Sequence, residues 1–427
     1  MKNYQLDLYS SYTTEDNNNN IIEDSSICKN MQNRSVEEIM QYYDILNNDI
    51  SHRLSADDIC TPMNCVKLMI DYIPNEFWET KSLKILDPCA GNGNFGAYCQ
   101  FKTDINNIWF NDINTIRLSN CKKILSPKNL TSTNALNISS FGEWDLIMAN
   151  PPYSGGGNKN RSLSNEFIEH SIKLLKNGGY LCFVTPNNWM TYNNNNTTLK
   201  ALLQFGSFVI IDNDVKKYFS NVGSSFTVFI WQKGVMNNKT YVKNNYLIKD
   251  EQFNVIIPKT LKYIPLYLSN DIISIINKCY VDTINNFHYR CDLHNHTRKD
   301  LLNDIKDDIF CYETIHTPKK TRFSKIKQDI YNNWNIIIPL STYYIPYIRH
   351  NVNVTQSVGY FTFTDEISAN KFLQKIIQKH FKLIIHLTRY GNFNNIMVIK
   401  HLNFDTDIKF SNAEMEIIDI LIKNIKY

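Results

Sequence analysis

An apolar run, Leu83-Lys84-Ile85-Leu86, meets an acid at Asp87 and then a turn of small residues, Pro88-Cys89-Ala90-Gly91-Asn92-Gly93-Asn94-Phe95-Gly96. That order calls for a strand, a tight glycine loop and a helix start, the unit from which parallel sheets with helical crossovers are built. The spacing Gly91-x-Gly93-x-x-Gly96 also fits a dinucleotide-binding loop, in which a helix amino terminus faces a dianionic pyrophosphate. Asp87, directly ahead of the loop, is unwelcome in that setting and suits a ligand carrying an ammonium group. A second strand, Ile108-Trp109-Phe110-Asn111, runs into Asp112, 25 residues beyond Asp87. An acid at the end of the second strand of such a sheet is placed to bind ribose hydroxyls, and Ile113 can form a wall of an adenine pocket.

The strand Trp144-Asp145-Leu146-Ile147-Met148-Ala149 runs directly into Asn150-Pro151-Pro152-Tyr153. Two prolines fix the backbone, so the Asn150 side-chain oxygen and the Pro151 carbonyl become a rigid pair of acceptors, with the flat face of Tyr153 beside them. Two acceptors and a ring suit a planar amine that offers two hydrogens in its plane. At these residues the chain resembles the S-adenosylmethionine-dependent amino-group methyltransferases, whose signature is Asn/Asp/Ser-Pro-Pro-Tyr/Phe/Trp. Asp87-Pro88 followed by Gly91-x-Gly93-x-Phe95 is similar to their cofactor loop. Thr61-Pro62 opens a helix ahead of that loop, which gives the gamma arrangement of the DNA N6-adenine methyltransferases, the modification enzymes of type II restriction-modification systems. The resemblance covers about residues 55 to 235.

The resemblance implies an α/β fold: a Rossmann-like, seven-stranded methyltransferase sheet with a C-terminal target-recognition domain. It implies S-adenosyl-L-methionine as cofactor, held by Thr61, Asp87, Pro88, Gly91, Gly93, Phe95, Asp112, Ile113, Asn134 and Ala135. It makes Asn150, Pro151, Pro152 and Tyr153 the catalytic set. A hairpin aromatic, Trp231 first and Phe226 second, would stack on the flipped base. Double-stranded DNA is then the partner, with a separate cognate restriction endonuclease as a further one and no metal required. The chain departs from the pattern at Cys60, where the family carries an aromatic, and at Asn134, where it usually carries Asp.

Outside these motifs, residues 1–33 are polar and Asn-rich and read as a disordered tail. Ser35 with Glu38 reads as the capping box of a helix, and a second helix is expected from Ser164 or Asn165 to Lys176, stopped by Gly178-Gly179. Between the catalytic motif and that helix lies a basic glycine-rich loop whose Lys159 and Arg161 could reach phosphates. Residues 34–235 are expected to form the catalytic domain and 236–427 the target-recognition domain. In the latter, Lys319, Lys320, Arg322, Lys325 and Lys327 place five cations in nine residues beside Tyr331 and Trp334, the pattern of a phosphate-contacting strip. The segment Thr388-Arg389-Tyr390-Gly391-Asn392-Phe393-Asn394-Asn395 loosely resembles carboxyl-terminal parts of type II modification enzymes. Cys291-Asp292-Leu293-His294-Asn295-His296 has no second ligand pair at zinc spacing.

With 45 basic and 41 acidic residues the net charge is small, so a nucleic-acid surface must be local. Ten cysteines without a Cys-x-x-Cys pair fit a reducing compartment. No apolar run is long enough to span a bilayer, so a soluble, intracellular protein is expected. The alternatives that stay open are an RNA adenine-N6 or protein-glutamine methyltransferase, and a catalytically inactive relative that binds DNA.

Overall fold

The computed structural model describes residues 34–49, 51, 59–153, 163–219, 225–236, 239–391 and 393–426; the polar tail and the loop carrying Lys159 and Arg161 lie outside the described residues. The chain builds one large mixed sheet and a second half of smaller sheets and helices. The large sheet comprises β1 (Ile85–Asp87), β2 (Ile108–Asn111), β3 (Asn129–Thr131), β4 (Trp144–Ala149), β5 (Leu175–Pro186), β6 (Gly206–Asp212), β7 (Phe226–Lys233), β8 (Thr240–Asn244) and β9 (Glu251–Val255), in the spatial order β3-β2-β1-β4-β5-β7-β6-β8-β9. The five strands from β3 to β5 are parallel, and β7 is antiparallel to both of its neighbours. Seven strands therefore stand as the resemblance implies, and two more extend the sheet to Val255, beyond residue 235.

Strict alternation along the strands sorts their side chains onto two faces. Leu146, Met148, Cys182, Val184, Phe226, Val228 and Ile230 face one core; Ile147, Ala149, Leu181, Phe183, Phe229 and Trp231 face the other. The first core is covered by helices α1 (Val36–Asn47), α2 (Met63–Asp71), α3 (Asn94–Cys99) and α4 (Thr115–Leu125), the second by α5 (Leu163–Leu174) and α6 (Thr197–Phe205). Each fully buried Leu, Ile or Phe in these layers contributes about 1.5–3 kcal/mol through removal of apolar area from water, so both layers act in holding the sheet.

Local sequence explains most of the helix ends. Ser35 and Glu38 close a reciprocal capping box at the start of α1. Thr61 does not cap α2: Pro62 occupies the cap position with no side-chain bond, and the Met63 N–H instead donates to Asp44 Oδ1 of α1 at 3.1 Å. The helix expected to reach Lys176 ends at Leu174, and the chain passes straight into β5, with Gly178 at φ 84° inside that strand. Gly96 in α3 sits where an added Cβ would run into the Phe110 ring of β2, so this glycine lets the helix approach the sheet.

The second half holds two four-stranded sheets. One consists of β10 (His288–Tyr289), β14 (Trp334–Pro339), β15 (Tyr347–His350) and β17 (Val358–Phe363); the other of β11 (Leu302–Asn303), β12 (Tyr312–Thr317), β13 (Lys320–Ser324) and β16 (Asn353–Val354). Helices α7 (Asn270–Cys279), α8 (Lys379–Leu387) and α9 (Asn412–Lys423) share an apolar core with β14 and β17 that includes Ile336, Ile338, Phe361, Phe381 and Leu421. This core also takes in Tyr192, from the segment after β5. Asn395 bonds the Thr191 Oγ1 and the Tyr192 carbonyl at 2.9 and 3.1 Å, and the Ile264 N–H bonds the Met190 carbonyl at 3.0 Å. Among the described residues no helix is long and apolar enough to cross a membrane.

Two expectations concern stability. Glu414, buried at the start of α9, accepts from the Ser411 N–H at 2.6 Å and from Ser274 Oγ and Lys278 Nζ of α7 at 2.7 and 2.5 Å. Burial opposes its ionisation, but the bonds from Lys278, Ser274 and Ser411 outweigh it and hold the carboxyl down at about 2. A depressed carboxyl stabilises the fold fully above its ordinary value and loses that effect as pH falls toward the depressed one. Glu414→Gln should therefore cost about 3 kcal/mol at pH 7 and progressively less from pH 4.5 downward, measured by urea unfolding across pH. Gly96→Ala should lower the melting temperature through overpacking worth about 1–3 kcal/mol, because its methyl enters the Phe110 ring space.

Candidate functional site

The site forms at the carboxyl ends of β1, β2 and β4. β1 pairs with both β2 and β4, but the chain leaves β1 toward one edge of the sheet and β4 toward the other, and a crevice opens where the order reverses. Asp87 ends β1, Asp112 follows β2, and Asn150 follows β4, so the three reach the crevice from adjacent strands.

The glycine loop is held by backbone and side-chain bonds. Gly91 and Gly93 take φ of 54° and 90°, a region costly for side-chained residues, and a Cβ on Gly93 would approach Cys121 Sγ to 2.8 Å. The Gly93 N–H donates to the Ala90 carbonyl at 2.8 Å, and the Ala90 N–H donates to the Asn111 carbonyl at 2.9 Å. Asp112 Oδ2 accepts from the Gly91 N–H and Oδ1 from the Asn114 N–H, both at 2.7 Å. These bonds orient Asp112 directly after β2. Pro88, Phe95 and Ala135 are buried, Phe95 and Ala135 in the cores on opposite faces of the sheet, and Ile113 is half exposed. Asn134 is exposed and caps a short helical turn, its oxygen accepting from the Leu136 N–H at 3.0 Å.

Asp87 is fully buried. Oδ1 accepts from the Cys89 N–H at 3.3 Å, and Oδ2 has no hydrogen-bond partner among the described residues. Burial, with a smaller push from the Asp112 charge, raises this carboxyl well above its usual range. A buried, half-satisfied carboxylate is costly unless a cation or donor joins it. The ammonium of an amino acid moiety answers that need, and the residues around the loop fit S-adenosylmethionine.

Asn150 is half buried and bonded at both ends of its amide. Its Nδ2 donates to the Ile59 carbonyl at 3.1 Å, and its Oδ1 accepts from the Tyr153 hydroxyl at 2.5 Å. Pro151 is buried, Pro152 exposed. The Tyr153 ring lies 5.3 Å from Phe226, tilted by 56°, and Phe226 stacks on Phe219 at 4.9 Å. Trp231 does not belong here. It is fully buried, faces the core under α5 and α6, and its indole donates to the Leu202 carbonyl at 2.8 Å. Strand alternation puts it on the face opposite Phe226, so it cannot stack on a base; Phe226, next to Tyr153, is itself fully buried in the other core.

Two asparagines not singled out by the motifs join the site. Asn111, buried at the end of β2, donates to the Pro88 and Thr133 carbonyls at 3.1 and 3.0 Å and so ties the glycine loop to the loop before Asn134. Asn94 donates to the Thr61 carbonyl at 2.8 Å, which fixes the segment entering α2 against α3. Nothing in their types announced this; only their place one residue past or before a motif residue did.

The basic strip lies apart, on β13 and its turns. Lys319, Lys320, Lys325 and Lys327 are exposed. Arg322 is engaged inward with Asn295, the Leu302 carbonyl and Asp304, so it braces the sheet. Lys320 also pairs with Asp304, at 3.4 Å. Near Cys291, Asp292 pairs with Arg290 and His294 Nδ1 accepts backbone N–H groups; among the described residues no three His, Cys, Asp or Glu side chains gather as a metal would need.

The chain is 26% identical over 249 residues to the type II methyltransferase M.HincII of Haemophilus influenzae, covering 52% of this chain and 47% of that protein. It is 28% identical over 158 residues to the release factor glutamine methyltransferase of Mycoplasma mycoides subsp. mycoides SC, covering 35% of this chain and 56% of the relative. The chain thus spans about half the length of the curated relatives it matches. Among solved structures, DrdV in its DNA complex superposes with a TM-score of 0.55 at 10% identity, over 83% of this chain and 55% of that one, a likeness of fold. Residues 93–229, from the glycine loop through Asn150-Pro151-Pro152-Tyr153 into β7, match the sequence profile of the Eco57I restriction-modification methylase family.

Proposed function

We propose that the chain is a site-specific DNA methyltransferase that acts on N6 of an adenine swung out of the duplex, as the modification component of a restriction-modification system. The observation that carries this is the meeting of Asp87, partly unsatisfied and buried, with the acceptor pair of Asn150 and Pro151 at the ends of neighbouring strands. One end of the crevice suits an ammonium and the other a planar amine. The type II methyltransferase among the relatives favours DNA. The glutamine methyltransferase is the specific ground for a second reading, in which the planar amine is a glutamine side-chain amide.

S-adenosylmethionine supplies the methyl group as an electrophile on a sulfonium. Thr61, Asp87, Pro88, Gly91, Gly93 and Phe95 hold its amino acid end, and Asp112, Ile113, Asn134 and Ala135 its nucleoside. Asn150 Oδ1 and the Pro151 carbonyl accept the two amino hydrogens of the target, which draws the nitrogen lone pair out of the ring and toward the methyl carbon. Tyr153 stacks on the base from a position backed by Phe226, and its hydroxyl leaves Asn150 Oδ1 as the amine arrives. The nitrogen gains the methyl as the methyl–sulfur bond breaks with its electron pair left on sulfur as a neutral thioether, and it loses one hydrogen as a proton to water. Positioning and charge placement supply the rate, since no enzyme nucleophile is called for. Lys319, Lys325 and Lys327 contact phosphates, with Lys159 and Arg161 assigned the same task from sequence.

Labelled methyl transfer to duplex DNA, RNA and a glutamine-bearing protein, followed by nucleoside or residue analysis, separates the readings: N6-methyladenine in DNA is expected. Asn150→Ala should reduce transfer by about a thousandfold without loss of cofactor binding in calorimetry. Because Asp87 is pushed toward its neutral form while an ammonium favours the ionised one, cofactor affinity should rise with pH through the raised value. Asp87→Asn should weaken binding and flatten that dependence. Lys319→Ala with Lys325→Ala should lower the salt dependence of DNA binding by about one unit of slope per lysine removed.

A further inference from the structure

We propose that the backbone carbonyl of Ile59 orients the catalytic amide: by accepting Asn150 Nδ2 it fixes which end of the side chain faces the substrate, and it makes residue 150 an amide, not a carboxylate, in this chain. This rests on the proposed reading that Asn150 Oδ1 receives an amino hydrogen.

An asparagine amide has two ends of nearly equal size and opposite function. Turned the wrong way, Asn150 would present N–H groups to the N–H groups of the incoming amine, and capture would fail. The Ile59 carbonyl removes that freedom, because a flipped amide would bring Oδ1 against a second acceptor at the 3.1 Å now spanned by a bond. The carbonyl is itself held. The next residues of its segment lead to Thr61, whose carbonyl accepts from Asn94 Nδ2 at 2.8 Å, and Asn94 is buried at the start of α3, directly after the glycine loop. Orientation of the catalytic amide therefore passes through a short strap, 59–61, to the wall of the cofactor loop.

The signature that this motif resembles admits Asp at the first position, and a carboxylate accepts an amino hydrogen at least as well as an amide. Here the strap forbids it. An ionised carboxylate would set an anionic oxygen against the Ile59 carbonyl in a half-buried place, a contact with two acceptors and no hydrogen. A protonated carboxyl reproduces the amide pattern, with its O–H donating to Ile59 and its C=O free for the amine. Titratable groups around this end of the sheet are Cys60 on the strap, Tyr153 beside Asn150, and Asp87 and Asp112 at the ends of β1 and β2.

The test is methyl transfer by wild type and Asn150→Asp from pH 5.5 to 8.5, with cofactor binding followed by calorimetry. At pH 8 the variant should be at least about a hundredfold slower than wild type, and its rate relative to wild type should climb about tenfold per pH unit as pH falls toward its carboxyl's raised value. A variant that binds cofactor yet shows a flat profile, whether active or inactive, overturns the inference. A wild type that transfers methyl to none of DNA, RNA or protein overturns the proposed function instead. The orienting bond is then read directly, and decides alone if Asn150→Asp fails to bind cofactor. The side-chain amide of Asn150, assigned by its loss in Asn150→Ala, should exchange its hydrogens at least about tenfold more slowly than a free asparagine amide in NMR; exchange at the free rate overturns the inference.

Discussion

Everything in this molecule that bears on chemistry depends on two strands lying side by side while their chains depart in opposite directions. β1 and β4 share a parallel ladder, and because the chain leaves β1 toward β2 and β4 toward β5, no crossover closes the space above their carboxyl ends. Asp87 and Asn150 come to that space as the residues that happen to end these strands. The two helical layers serve this arrangement by pinning the strands from both sides, and Gly96 serves it by letting α3 come close to β2.

Neutral amides do most of the fixing around the crevice. Asn111 joins the glycine loop to the 131–133 loop, Asn94 joins it to the strap before α2, and Asn150 joins the strap to β4. Amides can donate and accept without a desolvated charge, so they brace a polar cavity at lower cost than ion pairs would. Backbone N–H groups hold the acids too: Asp112 accepts from Gly91 and Asn114, and Asp87 from Cys89.

Much of this was legible because the signals are local. A strand, an acid and a glycine loop occupy consecutive residues, and Asn-Pro-Pro-Tyr follows its strand directly, so the sheet type and the clustering of Asp87, Asp112 and Asn150 could be read from order alone. What could not be read depends on partners distant in sequence. Alternation separates Phe226 from Trp231 but does not say which face looks toward Tyr153; α5 and α6 decide that by covering Trp231. Arg322 looked like its lysine neighbours until Asn295 and Asp304 claimed it. Strands β8 and β9 carry no motif, and they join the large sheet because β6 offers an edge, not because their composition sets them apart from the strands of the second half. Ile59 acts through its carbonyl, which no side-chain identity reveals.

Asn395 uses both ends of its amide, capping one short helix with its oxygen and gripping Thr191 and the Tyr192 carbonyl with its nitrogen. The distal half is thus bonded to the chain that emerges from β5, with Tyr192 packed inside the distal core. Exchanging that half for another would preserve these contacts only if residues 190–192 and 395 travelled as one piece.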